Sequence, residues 1–288
     1  MWIDVKAAPG GKSDGKSEGQ PNRQTNTLHD SGRAYAYTGG KPFDPKQPVI
    51  VFVHGAQLDH SVWILQSRYL AHHGFSVLAV DLPGHGRTDT TTMAKVEDLS
   101  AWLLRLLDAA GVDRATLVGH SLGSLIALEA CGMAPARVEK LVLVGSAFPM
   151  RVSDSLLTAA RENEAAAFDM INTWSHTGVT HSPGSPGPGF SVFIQNRRLM
   201  ERQRPGVLSA AFEASNRYAG GFDRAQGVNC PTLLILGRND QMTPIKAGRA
   251  LAARIKGSRV VEIERCGHSL MAERPDAVLT ALKDFLAA

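Results

Sequence analysis

Short, nearly unbroken apolar runs alternate along this chain with longer stretches in which apolar residues return every third or fourth position. The runs Pro48–Val53, Phe75–Val80, Ala115–Gly119, Lys140–Gly145, Thr232–Gly237 and Arg259–Ile263 predict strands. Their apolar content is continuous rather than alternating, as expected of strands covered on both faces of a parallel sheet. Between them, Met93–Gly111 sets Val96, Leu99, Leu103, Leu106 and Leu107 on one stripe and ends on a glycine able to close a helix. Similar periodicity predicts helices over Ser121–Met133, Pro244–Ile255 and Pro275–Leu286, the last two with proline near the first turn. Strand followed by helix, repeated, predicts an α/β fold with a mostly parallel central sheet flanked by helices.

Two segments interrupt the alternation. Residues 1–33 are expected to be a flexible N-terminal leader, because Pro9–Asp30 has almost no large apolar side chain with which to offset its ordering entropy. Residues 147–229 show no clear strand. They hold helical pieces such as Leu156–Trp174 and a breaker-rich loop, His181–Gly189, and are expected to form an inserted helical cap. The α/β core is then 34–146 and 230–288, and no fixed-period repeat is visible.

Composition narrows the function classes. A chain of 288 residues with 43% hydrophobic and 20% charged content reads as soluble and globular. No apolar run approaches the roughly 18 residues of a membrane span, so no membrane partner is expected. The net charge of +4, without a Lys/Arg block interleaved with aromatics, gives no expectation of a nucleic-acid partner. The first residues lack the apolar core of a secretory signal, and the three cysteines are odd in number and scattered, which points to the cytoplasm.

The candidate chemistry begins at Gly119-His120-Ser121-Leu122-Gly123, a G-x-S-x-G pattern set between a predicted strand and a predicted helix. Glycine at both flanks would permit a sharp turn that lifts the Ser121 hydroxyl to the N-terminus of the following helix, where free N–H groups favour negative charge. A serine N-cap after a tight turn is the plain alternative. His54-Gly55 follows an earlier strand, and acyl transfer needs two N–H donors at the developing oxyanion; Leu122 and Ala56 are the candidates. His54 itself reads as a structural histidine. His268, a loop residue beside a glycine after the last strand, is the candidate base. Asp240, in the loop just beyond Thr232–Gly237, is the carboxylate available to orient it, with an Asx turn or helix cap ahead of Pro244 as the alternative.

From about Tyr35 onward the chain resembles the α/β-hydrolase fold superfamily, specifically its capped serine-esterase-like branch. The resemblance is carried in order by HGAQLDHSVW, DLPGHGRTD, GHSLG and the pair GRNDQMTP with CGHS. It implies a Ser121, Asp240, His268 triad with Ala56 and Leu122 forming the oxyanion hole, and gives Asp81–Asp89 a structural role. Serine at 121 departs from the dehalogenase and epoxide-hydrolase members, which carry aspartate there. The lack of a GGGPG-like stretch after His54 argues against the usual carbon–carbon bond hydrolases.

The reading that results is a cytoplasmic serine hydrolase acting on carboxylic esters of small or medium apolar substrates. It requires no cofactor and no metal: the spacing of His54, Asp59, His60, Asp81 and His85 fits no metal-binding motif. Acyltransferase, perhydrolase, lactonase or a ligand-binding receptor on the same fold are the alternatives. His120, Trp174, Phe190 and Phe193 are candidate substrate contacts. Phe168, Met170, Ile171, Val192 and Phe212 are further apolar candidates from the same cap, most of them expected to serve as docking core. The basic run Arg197–Arg204 is expected to be a solvated helix face, and Cys266 a passive thiol.

Overall fold

A computed structural model describes residues 1–7, 31–178 and 191–288. Its strands are β1 (Trp2–Val5), β2 (Gly32–Tyr37), β3 (Val49–Val53), β4 (Ser76–Val80), β5 (Ala115–His120), β6 (Val138–Val144), β7 (Thr232–Gly237) and β8 (Arg259–Ile263). They form one sheet in the order β1-β2-β4-β3-β5-β6-β7-β8. β1 and β2 pair antiparallel, as do β2 and β4, and every other neighbour is parallel.

The apolar runs of β3 to β7 are continuous because each of these central strands feeds two cores. On β3, Val51 and Val53 face one cluster with Leu78, Leu117 and Leu143, while Ile50 and Phe52 face another with Val77, Val118 and Val142. The first cluster is closed by α2 (Val96–Ala109) and α3 (Leu122–Met133). The second is closed by α1 (Ile64–Ala71) and the C-terminal helix Pro275–Leu286. The side-chain period of two sends alternate residues to opposite layers, and both layers are apolar.

The expected leader is corrected at both of its ends. Trp2–Val5 is a strand in register with Gly32–Tyr35, with Ile3 and Val5 turned into the core against α2. This pair stands at the sheet edge with one face open, so its pattern alternates, and four residues of alternating character carry little signal. The remainder of that leader, residues 8–30, lies outside the described residues.

Between β6 and β7 the described residues hold five helices: α4 (Asp154–Glu162), α5 (Glu164–Ser175), α6 (Val192–Glu201), α7 (Val207–Arg217) and α8 (Gly221–Gln226). The predicted helical piece Leu156–Trp174 is two helices, because Asn163 leaves helical geometry and its side chain accepts from Ala166 N at 3.2 Å, capping α5. The first four of these helices share a cluster of their own, with Leu156, Phe168, Met200, Leu208 and Phe212, while α8 packs into the main core through Ala225. They are tied to α3 through Glu129, which is 2% exposed and accepts from Tyr218 Oη at 2.7 Å and from Arg224 Nε and Nη2 at 2.9 and 2.8 Å. After β7 come α9 (Ile245–Ala252), then, beyond β8, α10 (Leu270–Glu273) and α11 (Pro275–Leu286). Among the described residues no helix is long and apolar enough to cross a membrane. The three cysteines are free, although Cys131 and Cys230, distant in sequence, bring their sulfurs to 3.9 Å.

Candidate active site

Ser121 occupies the single residue between β5 and α3, with φ 52° and ψ −121°. Few non-glycine residues adopt this left-handed region, and such strain persists only where surrounding contacts enforce it. Here they do: a Cβ on Gly119 would overlap the Gly123 carbonyl, and one on Gly123 would overlap Val53 O. The two glycines let strand, turn and helix approach that closely, and the Ser121 backbone is pinned by donating from its N–H to Val144 O at 3.0 Å. Its side chain opens onto a cavity of about 280 Å³ walled by Ala56, Trp174, Phe212, Met242 and Thr243 among others.

The loops after β7 and β8 bring Asp240 and His268 together. His268 Nδ1–H donates to Asp240 Oδ2 at 2.7 Å, and among the described residues Nε2 makes no hydrogen bond. Thr243 Oγ1 donates to the same oxygen at 2.6 Å, and the N–H groups of Met242 and Thr243 donate to Oδ1 at 2.8 and 2.7 Å. Burial by itself would raise the Asp240 pKa. The neighbouring His268 and these donors outweigh it and hold the carboxyl below its ordinary value. Asn239 N donates to Cys266 O at 2.9 Å, tying the two loops to each other.

The base loop is also held from the inserted helices. The N–H groups of His268 and Ser269 donate to Ser175 O, the end of α5, at 2.8 and 3.0 Å, while Gly267 N donates to Glu273 Oε2 at 2.6 Å. Beneath it, His120 Nε2–H donates to His268 O at 2.9 Å and the two rings lie 4.7 Å apart. Burial, followed by the proximity of His268, pushes the His120 pKa down to about 3, so this ring stays neutral. Among the described residues Ser121 Oγ forms no hydrogen bond with His268; Ser121 faces the cavity, whose lining it shares with Thr243, the residue that donates to Asp240. Such contacts commonly tighten only when substrate is bound.

Ala56 lines the cavity with Ser121, and Leu122 follows Ser121 directly. Leu122 opens α3, whose first N–H groups have no intrahelical partner, and Ala56 lies in the turn after β3. Among the described residues neither N–H is given to another protein acceptor. Gln57, directly after Ala56, holds φ 57° and donates from Nε2 to Met200 O at 3.1 Å, which fixes this turn against the inserted helices. His54 serves the same loop: its Nε2 accepts from Leu82 N at 3.0 Å, and its Nδ1–H donates to Gly55 O at 2.7 Å. Burial lowers its pKa and keeps it a neutral structural bridge.

Of the four candidate substrate contacts, Trp174 lines the cavity. His120 does not: its ring is buried under the His268 carbonyl, so the expectation of a substrate contact is corrected to a supporting role. Phe193 is half-buried against His176, ring centroids 5.7 Å apart, and is absent from the wall because α6 turns it toward α5. Phe190 lies outside the described residues. Three participants escaped the sequence reading: Thr243, the Ser175 carbonyl, and Arg151 on the cavity rim. The threonine stands three residues after the aspartate and signals nothing until the loop folds back on itself.

Asp59, His60 and Asp81 bring ligand-type atoms close enough to hold a cation. Their carboxylates already accept from Ser61, Arg202, Gln203, His60 and Arg87, so the cluster is satisfied by the protein's own donors. The basic run forms ion pairs on a helix surface, Arg197 and Arg198 with Glu201, and Arg202 with Asp59. Cys266 is fully buried and its thiol pKa is raised, first by burial.

A protein-family profile described as alpha/beta hydrolase fold matches residues 48–275. A 2-hydroxy-6-oxononadienedioate/2-hydroxy-6-oxononatrienedioate hydrolase of Klebsiella pneumoniae is 30% identical over 251 residues, covering 83% of this chain and 86% of the relative. A pimeloyl-[acyl-carrier protein] methyl ester esterase of Aromatoleum aromaticum is 28% identical over 255 residues, covering 83% and 98%. Among solved structures, an enol-lactonase of Burkholderia xenovorans superposes with a TM-score of 0.79 at 25% identity, over 89% of this chain and 97% of its own.

Proposed function

The chain belongs to the alpha/beta hydrolase fold family, and from that premise we propose that it is a serine hydrolase cleaving carboxylic esters of small or medium substrates through Ser121, His268 and Asp240. The observation that carries this reading is the 2.7 Å bond between His268 and a carboxylate whose oxygens are all engaged by donors, together with a strained serine that shares a mainly apolar cavity with Thr243 of that network. In this mechanism Ser121 Oγ attacks the ester carbonyl as its proton passes to His268 Nε2. Asp240 holds Nδ1–H in place and stabilises the imidazolium. The N–H groups of Ala56 and Leu122 receive the oxyanion. Collapse of the tetrahedral species expels the alkoxide, which takes the proton from Nε2. Water then attacks the acyl-enzyme, giving its proton to His268, and Ser121 is regenerated as the acid leaves.

No step in this sequence calls on a metal or an organic cofactor. We assign the helices of 147–229 the role of a cap, supported by their contribution of Trp174 and Phe212 to the cavity wall and of Ser175 to the base loop. The methyl ester esterase and enol-lactonase among the similar proteins support acyl–oxygen cleavage, with lactones as the second substrate class to examine. The free, scattered cysteines support a cytoplasmic setting.

The test is labelling by a fluorophosphonate together with turnover of p-nitrophenyl esters of increasing chain length, lactones and the oxononadienedioate-type substrate. Wild type should label at Ser121 and show a burst of acylation, and Ser121→Ala should lose both while keeping its circular dichroism. Hydrolysis undiminished in Ser121→Ala would end the proposal. Strong labelling with negligible hydrolysis of every substrate would move it to an acyltransferase or a receptor.

A further inference from the structure

The cavity in front of Ser121 is apolar on most of its surface, yet one charged side chain stands on its wall. Arg151, three residues beyond Phe148 on the segment leaving β6, lines it together with Ser121. Its guanidinium is anchored through Nη1, which donates to Asn216 O at 3.3 Å, and Asn216 Oδ1 in turn accepts from Val152 N at 3.4 Å. Among the described residues no carboxylate pairs with it. Five arginines of the inserted segment, Arg197, Arg198, Arg202, Arg217 and Arg224, form ion pairs with acidic neighbours, and neither Arg161 nor Arg204, the others without such a pair among the described residues, lines the cavity.

Arg151 also lines a second, outer cavity of about 530 Å³ with Arg217, Tyr218 and Phe222. Among the described residues it is the one shared by the two spaces, and no described aspartate or glutamate lines either wall. Arg151 is exposed to solvent, and a guanidinium on the lining of a mainly apolar pocket with no ion pair among the described residues is suited to a carboxylate, which it binds with charge-assisted, often bidentate hydrogen bonds.

We propose that Arg151 is a specificity-determining residue and that the preferred substrate is a half-ester of a dicarboxylic acid, its ester carbonyl at Ser121 and its distal carboxylate on the Arg151 guanidinium. This rests on the serine-esterase reading and amends its apolar-substrate expectation. The methylene chain fills the space beside Trp174, Leu156 and Phe212, and the charged end lies at the passage to the outer cavity, where it remains partly hydrated.

The experiment compares kcat/KM for p-nitrophenyl half-esters of linear dicarboxylic acids with their ω-carboxamide counterparts of equal length. Wild type should favour the acid over the amide by about tenfold or more at the best length, the fold-change of one hydrogen bond to a charged group. The preference should be expressed in KM and weaken as salt rises. Arg151→Gln should reduce the ratio to near one, and Arg151→Lys should retain part of it. A ratio near one in wild type, or a ratio unchanged in Arg151→Gln, overturns the proposal. Calorimetric binding of the free dicarboxylate to Ser121→Ala, with and without Arg151→Gln, reads the same subsite without turnover. Arg151-dependent binding in a protein that hydrolyses no ester would thus refute the esterase reading and leave the anion subsite standing.

Discussion

Replacing Asp240 by asparagine probes the proposed mechanism most sharply, because the surrounding donors dictate how the amide must sit. Oδ1 of Asp240 accepts from two backbone N–H groups, Met242 and Thr243, at 2.8 and 2.7 Å. An asparagine that turned its NH2 toward them would lose both bonds and leave two buried donors facing a third, at about 1–3 kcal/mol for each unsatisfied group. The amide oxygen therefore stays on the N–H pair and the NH2 takes the place of Oδ2, facing His268 Nδ1 and Thr243 Oγ1. The threonine hydroxyl can rotate to accept. Nδ1 must now accept as well, so the imidazole proton moves to Nε2, the nitrogen that has to remove the proton of Ser121. The base is thereby blocked while the shape of the site is retained, and a fall in kcat of about 10⁴ is expected. That corresponds to about 5 kcal/mol of transition-state stabilisation. The assay is steady-state hydrolysis of the best p-nitrophenyl ester, with thermal denaturation to show that the fold persists and 15N NMR of the imidazole to read the tautomer. Turnover within tenfold of wild type, with the inverted tautomer observed, would refute the assignment of His268 as base and Asp240 as its orienting group.

Two further outcomes follow from buried charge and buried imidazoles. Glu129→Ala leaves the Tyr218 hydroxyl without its acceptor, while Arg224, 40% exposed, can return to water. The expected loss is about 2–3 kcal/mol by urea denaturation, below the full cost of breaking a buried pair because one partner rehydrates, with increased hydrogen exchange in α8; a change under about 0.5 kcal/mol would contradict the anchoring role. His85 and His120 are pushed down to about 3 from 6.5, in both cases chiefly by burial. The unfolded chain therefore binds protons that the folded chain refuses between those values. Stability is fully present above about pH 6.5 and falls as pH drops through 6.5 toward 3, by up to roughly 1.4 kcal/mol per pH unit for each ring. The urea midpoint should drop between pH 7 and 5, less steeply in His85→Gln, and an unchanged midpoint would contradict neutral burial.

The parallel strands β3 to β7 were legible because burial on both faces writes a nearly unbroken apolar run, β8 because its short β-branched stretch follows the same strand-helix alternation although it stands at the open sheet edge, and the long helices because one apolar face repeats at helical spacing. The elbow was legible because steric crowding leaves only glycine beside Ser121, at positions 119 and 123. Asp240 and His268 could be selected by their order along the chain and their place after strands. By contrast β1 hid in four alternating residues whose partner strand is separated from it by Pro9–Asp30, and a pairing across that distance leaves no local mark. His120 gave the same signal as a substrate contact and as a buried prop, since the sequence does not say which way a side chain points.

Local pattern determined the six parallel strands, which turns would be tight, and which residues carried suitable chemistry. Tertiary structure decided everything that depends on one loop meeting another: Thr243 bonded to the Asp240 carboxylate, the end of α5 gripping the backbone of His268, and Arg151 on the cavity wall with no acid paired to it among the described residues. Hydrophobic periodicity is a short-range property of the chain, whereas a hydrogen bond or an unpaired charge is defined by what stands opposite it, and only the packed layers supply that neighbour.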